Sequence, residues 1–280
     1  MTPRQSFSSH PRIRDAAALG FTSSLGPFAA NGIMPGFHAM AEDFGVSFVA
    51  VQQSLTIYLF TYAFFSLVAG SFSDSYGRRP TFIGGMLLFA AASIGAAFSQ
   101  SLWALYGWRL LQGIGAAVGQ VVTQAIVRDN WSGPEAANVN GMIAFFFAAG
   151  PALAPVVGGQ IVMLFGWHAV FLFLLVYSLS IAAFIYYRIP ETLHATDRSP
   201  FNLSAVCGNY AKGLTHGAFM TGVIAHGILF MGGILYSAGS ADFVIKVMGL
   251  DVDEFGWLSI PLIFASFAGS QPHFSKCGYI

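Results

Sequence analysis

Residues Gly70 to Pro80 read G-S-F-S-D-S-Y-G-R-R-P, a dense charged patch between two long apolar runs. A tight connector of this kind marks a fixed turn between two membrane spans. Asp74 closes one apolar segment, and Gly77 permits a backbone conformation that most residues avoid. Arg78 and Arg79 supply the positive charge that membrane insertion keeps in the cytoplasm. The sides of the membrane follow from this stretch, and the rest of the chain is placed around it.

The composition agrees. The chain of 280 residues is 55% hydrophobic and only 9% charged, with a mean hydropathy of +0.66, whereas about a quarter of the residues of soluble domains carry charge. An integral membrane protein is expected, with the lipid bilayer as its solvent. The formal net charge is zero and no basic groove is present, which excludes a nucleic-acid partner, since that needs clustered Lys and Arg. There is no phosphate loop, zinc-ligand spacing or nucleophile elbow, so no enzyme activity, cofactor or metal is expected. Cys207 and Cys277 read as free thiols.

Apolar segments of roughly 20 residues, enough to cross a hydrocarbon core of about 30 Å, fall at about Ala16 to Ala41, Phe48 to Phe72, Thr81 to Phe98, Leu102 to Val127, Val139 to Phe165, Ala169 to Tyr187 and Leu214 to Tyr236. An eighth begins near Phe255 and reaches about Gly269. The first fits a span better than a cleaved signal ending at Ala39-Met40-Ala41, because more spans follow it. With the N-terminus, 1–15, in the cytoplasm, the cytoplasmic pieces hold Arg4, Arg12, Arg14, Arg78, Arg79, Arg128, Arg188, Arg198 and Lys212, and the outer pieces only Lys246. The polar stretch 190–213 reads as a cytoplasmic linker between a six-helix bundle over 16–189 and a partial second bundle over 214–269; 270–280 is an atypical tail.

Small residues let helices approach closely in lipid. The fourth span carries Gly115 and Gly119 four apart; the fifth carries Gly150, Pro151, Pro155, Gly158 and Gly159, the marks of a bent, tightly packed helix. Arg109 is the one charge placed inside a span, about 10 Å deep at 1.5 Å per residue, with Gln112 one turn along. A buried charge tends to be functional; the alternative is a side chain that snorkels to the outer interface.

Taken together, these motifs resemble the major facilitator superfamily, and within it the drug:proton antiporters of the bicyclomycin/chloramphenicol-resistance type, from about Leu19 to about Phe264. Gly70 to Pro80 is similar to the loop motif after the second span, Arg109 to Gly119 to the fourth-span motif, Gly150 to Gly159 to the exporter motif of the fifth, and Ile189-Pro190-Glu191-Thr192-Leu193 to the ending of the sixth. The resemblance implies an all-α major facilitator fold, here a complete N-terminal six-helix bundle and about two helices of the second. It further implies alternating access to a central cavity and export of small amphipathic molecules in exchange for protons. A monomer in the bacterial inner membrane is implied, if the chain is complete. Asp74, Arg78, Arg79 and Asp129 would form a cytoplasmic cluster that holds one conformer, and Arg109 and Gln112 would lie at the cavity wall.

The chain departs from the family pattern. Ser75 stands where the loop motif has arginine, and Asn31 where relatives carry an aspartate important for proton coupling. Asn31 does not titrate near neutral pH, so coupling would pass to His226 in the seventh span, unless that histidine is a packing residue. Phe60, Phe64, Phe145, Phe146 and Phe147 are candidates to line an apolar cavity, or simply face lipid. Relatives have about twelve spans, so a truncated or frameshifted, transport-inactive product is one alternative; a receptor or scaffold without transport is another.

Overall fold

The computed structural model describes residues 13–194, 196, 198–225, 227, 228 and 231. The described residues are all-helical: α1 (Ile13–Asn31), a 3-10 turn (Met34–Gly36), α2 (Phe37–Phe44), α3 (Phe48–Tyr76), α4 (Arg78–Ala97), α5 (Leu102–Asn130), α6 (Gly133–Phe165), α7 (His168–Arg188) and α8 (Leu203–Thr215). The chain divides into two compact units, with residues up to Phe201 in the first and α8 in the second. Among the described residues, four helices are long and apolar enough to cross a membrane, or five if the two arms of α6 form one span. His226 and the eighth segment lie outside the described residues.

Two boundaries differ from the sequence expectation, each for a backbone reason. The stretch Gly70 to Pro80 is not a loop. Helix α3 runs on through Tyr76, and the turn is the single residue Gly77 at φ 99°, a region where only glycine avoids a Cβ clash. The serines ahead of it do not unravel the helix because their hydroxyls donate back along it, Ser73 to the Gly70 carbonyl and Ser75 to that of Ser71. Pro80 falls in the first turn of α4, where a missing N–H costs nothing.

The first span, expected to run unbroken from Ala16 to Ala41, is discontinuous. Pro35 offers no N–H to the carbonyl four residues back, that of Asn31, and its ring would clash with it; α1 ends at Asn31, and the chain resumes as α2 after the 3-10 turn. Helix α6 bends by 42° between Gly133–Pro151 and Leu153–Phe165, as its prolines require.

Glycines set the packing. Helix α5 lies between α3 and α4, α1 runs along α6, and α4 also meets α7. A Cβ on Gly113 would stand 2.7 Å from the Tyr58 carbonyl on α3, and one on Gly115 would stand 2.6 Å from the Gly85 carbonyl on α4. Gly119 faces Met86. The exporter-motif glycines of α6 serve α1: Gly150 faces Pro27, and Gly158 abuts the backbone of Gly32 so closely that no side chain fits. At the far end from Gly77, the Trp167 indole donates to Asp43 Oδ2 at 2.5 Å and ties α2 to the α6–α7 turn.

In the second unit, α8 occupies part of the expected linker. It leaves Cys207 exposed and carries Lys212 in its last turn, where a cation suits the helix dipole.

Candidate functional site: a buried arginine and a charged collar

Two polar constellations stand out in the first unit. The deeper is centred on Arg109 of α5, which is 0% exposed. Its Nη1 donates to the Ala29 carbonyl at 3.2 Å and to Gln112 Oε1 at 3.0 Å. Gln112 Nε2 in turn donates to Ser93 Oγ of α4 at 2.8 Å, and Ser93 donates to the Phe89 carbonyl at 2.8 Å. The guanidinium lies over the Tyr58 ring of α3, 4.3 Å from its centroid, a cation–π contact that strengthens where water is excluded. Tyr58 donates its hydroxyl to the Gly26 carbonyl at 2.9 Å. Arginine 109 therefore ties α1, α3 and α4 to α5.

The break in the first span explains how an arginine sits here without a carboxylate. The last carbonyls of a helix lack intrahelical partners and form the negative end of its dipole. The Ala29 carbonyl belongs to that last turn of α1, so the cation is met by a helix terminus and an aromatic face. Among the described residues no acidic side chain pairs with it, and its Nε and Nη2 have no hydrogen-bond partner. Among the described residues Arg109 is enclosed between helices, and it does not snorkel. Asn31 does not reach it by a hydrogen bond; its Nδ2 donates along α1 to the Pro27 carbonyl at 2.8 Å.

The second constellation is a collar at the Gly77 end. Arg78, 8% exposed, pairs with Asp74 and donates Nε to Asp129 Oδ2 at 3.0 Å and Nη1 to Ser73 Oγ at 2.6 Å. Thr192 also donates to Asp129, at 3.0 Å. Asp74, Arg78 and Asp129 thus meet. Arg79 does not join them: its guanidinium donates to the Tyr186 carbonyl and lies 4.8 Å from the centre of that ring.

Sequence reasoning missed the residue that closes the collar. Glu191, beyond the end of α7, accepts from the backbone N–H groups of Arg78 (2.9 Å, Oε1), Arg79 (3.3 Å, Oε2) and Leu193 (3.0 Å, Oε1). The first two are orphan donors at the start of α4, so a side chain 113 residues away caps that helix. A Cβ on Gly77 would lie 2.5 Å from Glu191 Oε2, which gives the glycine a second reason to be there. An acid just past a span that ends on the same side as Gly77 was the available signal. For Arg109, the matching signal was Ser93, a lone hydroxyl in the small-residue run A-A-A-S-I-G-A-A.

Phe60 and Phe64 do line an open groove of about 430 Å³, with Thr56, Ile57, Thr61, Phe65 and Leu110. Phe145, Phe146 and Phe147 lie elsewhere, on α6.

The chain matches the Major Facilitator Superfamily over residues 19–275. It belongs to the major facilitator superfamily. As a member of this family of transporters, it is not an enzyme. It is 31% identical over 257 residues to a bicyclomycin resistance protein homolog of Haemophilus influenzae, covering 90% of this chain and 65% of that protein. It is 32% identical over 169 residues to multidrug resistance protein D of Escherichia coli, covering 60% and 43%. The chain thus spans less than two thirds of the length of these relatives. The proton:xylose symporter XylE superposes with a TM-score of 0.67 at 16% identity, covering 91% of this chain and 66% of that one, which bears on the major facilitator fold alone. Within that fold the buried arginine lies in the fourth-span motif and the collar joins the loop motif to the end of the sixth span.

Proposed function

We propose that this chain serves in the export of small amphipathic, drug-like molecules in exchange for protons, by alternating access, as a monomer in the bacterial inner membrane with a cytoplasmic N-terminus. The observation that carries this reading is Arg109: a charge fully enclosed among apolar spans and held by neutral groups. Burying a charge in a span costs about 2.5–3.5 kcal/mol on insertion scales, a cost that packing alone does not require. The relatives named for bicyclomycin and multidrug resistance support the drug-like class.

In this reading the collar of Asp74, Arg78, Asp129 and Glu191 holds one conformer and parts in the other. The Asp74 and Asp129 side chains are 48% and 25% exposed, so each ion pair contributes only on the order of 1 kcal/mol; such a contact biases two conformers of similar energy without locking either. Proton coupling runs through a group other than Asn31, and His226 is the candidate that the sequence offers.

The test is drug efflux from sealed vesicles under an imposed pH gradient. Arg109→Ala abolishes export while the protein stays in the membrane; efflux at the wild-type rate would refute the assignment. Drug movement without accompanying proton flux would remove the coupling.

A further inference from the structure

We propose that the free edge of the Arg109 guanidinium is a fork for a carboxylate, so that the molecules bound at this site are amphipathic monocarboxylates. Only the step from binding to movement across the membrane rests on the transport reading above.

Both hydrogen bonds of the guanidinium leave from Nη1, to Ala29 and Gln112. Among the described residues, the two nitrogens without partners are Nε and Nη2. These are not any two of the three: their N–H bonds point in parallel from one side of the planar group, the edge that receives both oxygens of a carboxylate. A buried donor left unmatched is costly, more so when it is charged, and here two of them share an edge.

The edge is also held in place. Gln112 and Ala29 fix one corner, the Tyr58 ring centre lies 4.3 Å from the guanidinium carbon, and Ser93 and the Gly26 carbonyl secure the Gln112 and Tyr58 side chains in turn. Four helices thus set the direction of the fork before anything binds to it, which lowers the ordering cost of binding.

Charge narrows the class. Arg109 is the one charged side chain with no exposed surface among the described residues, and no acid pairs with it there. One positive charge is neutralised by a monoanion; a phosphate dianion would bring a second charge with no partner. A neutral amide offers one oxygen to two donors, and a halide offers charge without the two-point geometry. A carboxylate meets both requirements, and the enclosing spans suit an apolar remainder. Because Arg109 is closed to solvent, the ligand arrives when the packing loosens. The discontinuity at Asn31–Gly36, close to Ala29 in the chain, is where a 3-10 turn already interrupts the α-helical hydrogen-bond ladder of the first span.

The experiment uses the full chain in detergent with no gradient, and radiolabelled benzoate as the probe, exchanged for chloride at constant ionic strength. Saturable binding is expected, competed by unlabelled benzoate and not by benzamide, its uncharged isostere. Arg109→Gln abolishes it. Arg109→Lys keeps the charge but loses the fork, and weakens binding by about tenfold or more. Equal competition by benzamide and benzoate overturns the proposal, as does competition by chloride at equal strength, wild-type affinity in either variant, or no saturable binding to folded protein. If Arg109→Gln does not fold, Arg109→Lys and the comparison of ligands on the wild type decide the matter. Benzoate binding without drug efflux keeps the fork and removes the transport reading; efflux without benzoate binding does the reverse.

Discussion

Glu191 offers the sharpest test of how the spans are joined. Its carboxylate takes two of the orphan N–H groups at the start of α4, those of Arg78 and Arg79, together with the N–H of Leu193. Removing it with Glu191→Ala leaves that helix start uncapped and without a negative charge at the positive end of its dipole. Loss of a cap costs about 0.5–2 kcal/mol, and loss of the favourable charge a further 0.3–1 kcal/mol or so at a partly exposed position. The sum is about 1–3 kcal/mol. For a domain near 200 residues each kcal/mol moves the thermal midpoint by about 2–4 °C, so Ala is expected to lower the midpoint by roughly 2–12 °C. Glu191→Gln keeps one acceptor oxygen but turns the other into a donor facing an N–H. It is expected to lose nearly as much as Ala, whereas Glu191→Asp, one methylene shorter, retains the charge and falls between. The assay is thermal unfolding of the purified protein followed by intrinsic fluorescence, at low and high salt. The dipole part shrinks with salt and the hydrogen-bond part does not. If Ala and Gln both unfold at the wild-type midpoint, the cap contributes nothing and the reasoning is wrong.

Three further expectations follow from the same geometry. Gly158→Leu would drive a side chain into the Gly32 backbone, separating α1 from α6; monodisperse protein should be lost in size-exclusion chromatography, while Gly208→Leu in α8, where nothing lies within 4 Å, leaves the profile unchanged. Trp167→Phe keeps the ring contact with Phe44 but not the bond to Asp43, so it should cost about 1.5–3 kcal/mol for a hydrogen bond to a charged group. Asp43→Asn should cost less, because the amide oxygen still accepts; a smaller loss for Phe than for Asn would contradict the assignment. Cys207 is exposed on α8. In a Cys277→Ser background, a membrane-impermeant maleimide should label it in inside-out vesicles and not in right-side-out ones, and the opposite pattern would invert the topology.

Much of the first unit was legible in the sequence because lipid makes strict demands. A span has to be apolar for about 20 residues, so the positions of α3 to α7 follow from composition. Charges gather at the ends of spans, and the resemblance to the family's loop motif grouped Asp74, Arg78, Arg79 and Asp129 on the sequence alone. The glycine pairs announce close contacts, because no other residue permits them. What the sequence did not decide is partnership. Nothing in the string says that Glu191 reaches across 113 residues to cap α4, that Tyr58 lies beneath Arg109, or that the Ala29 carbonyl stands in for a carboxylate. Those contacts depend on which faces of four helices turn toward one another, and on a break in α1 placed by Pro35. Propensity and hydropathy are sums along the chain, whereas the energy of a buried cation depends on the few atoms within about 4 Å of it, and only folding brings those atoms together.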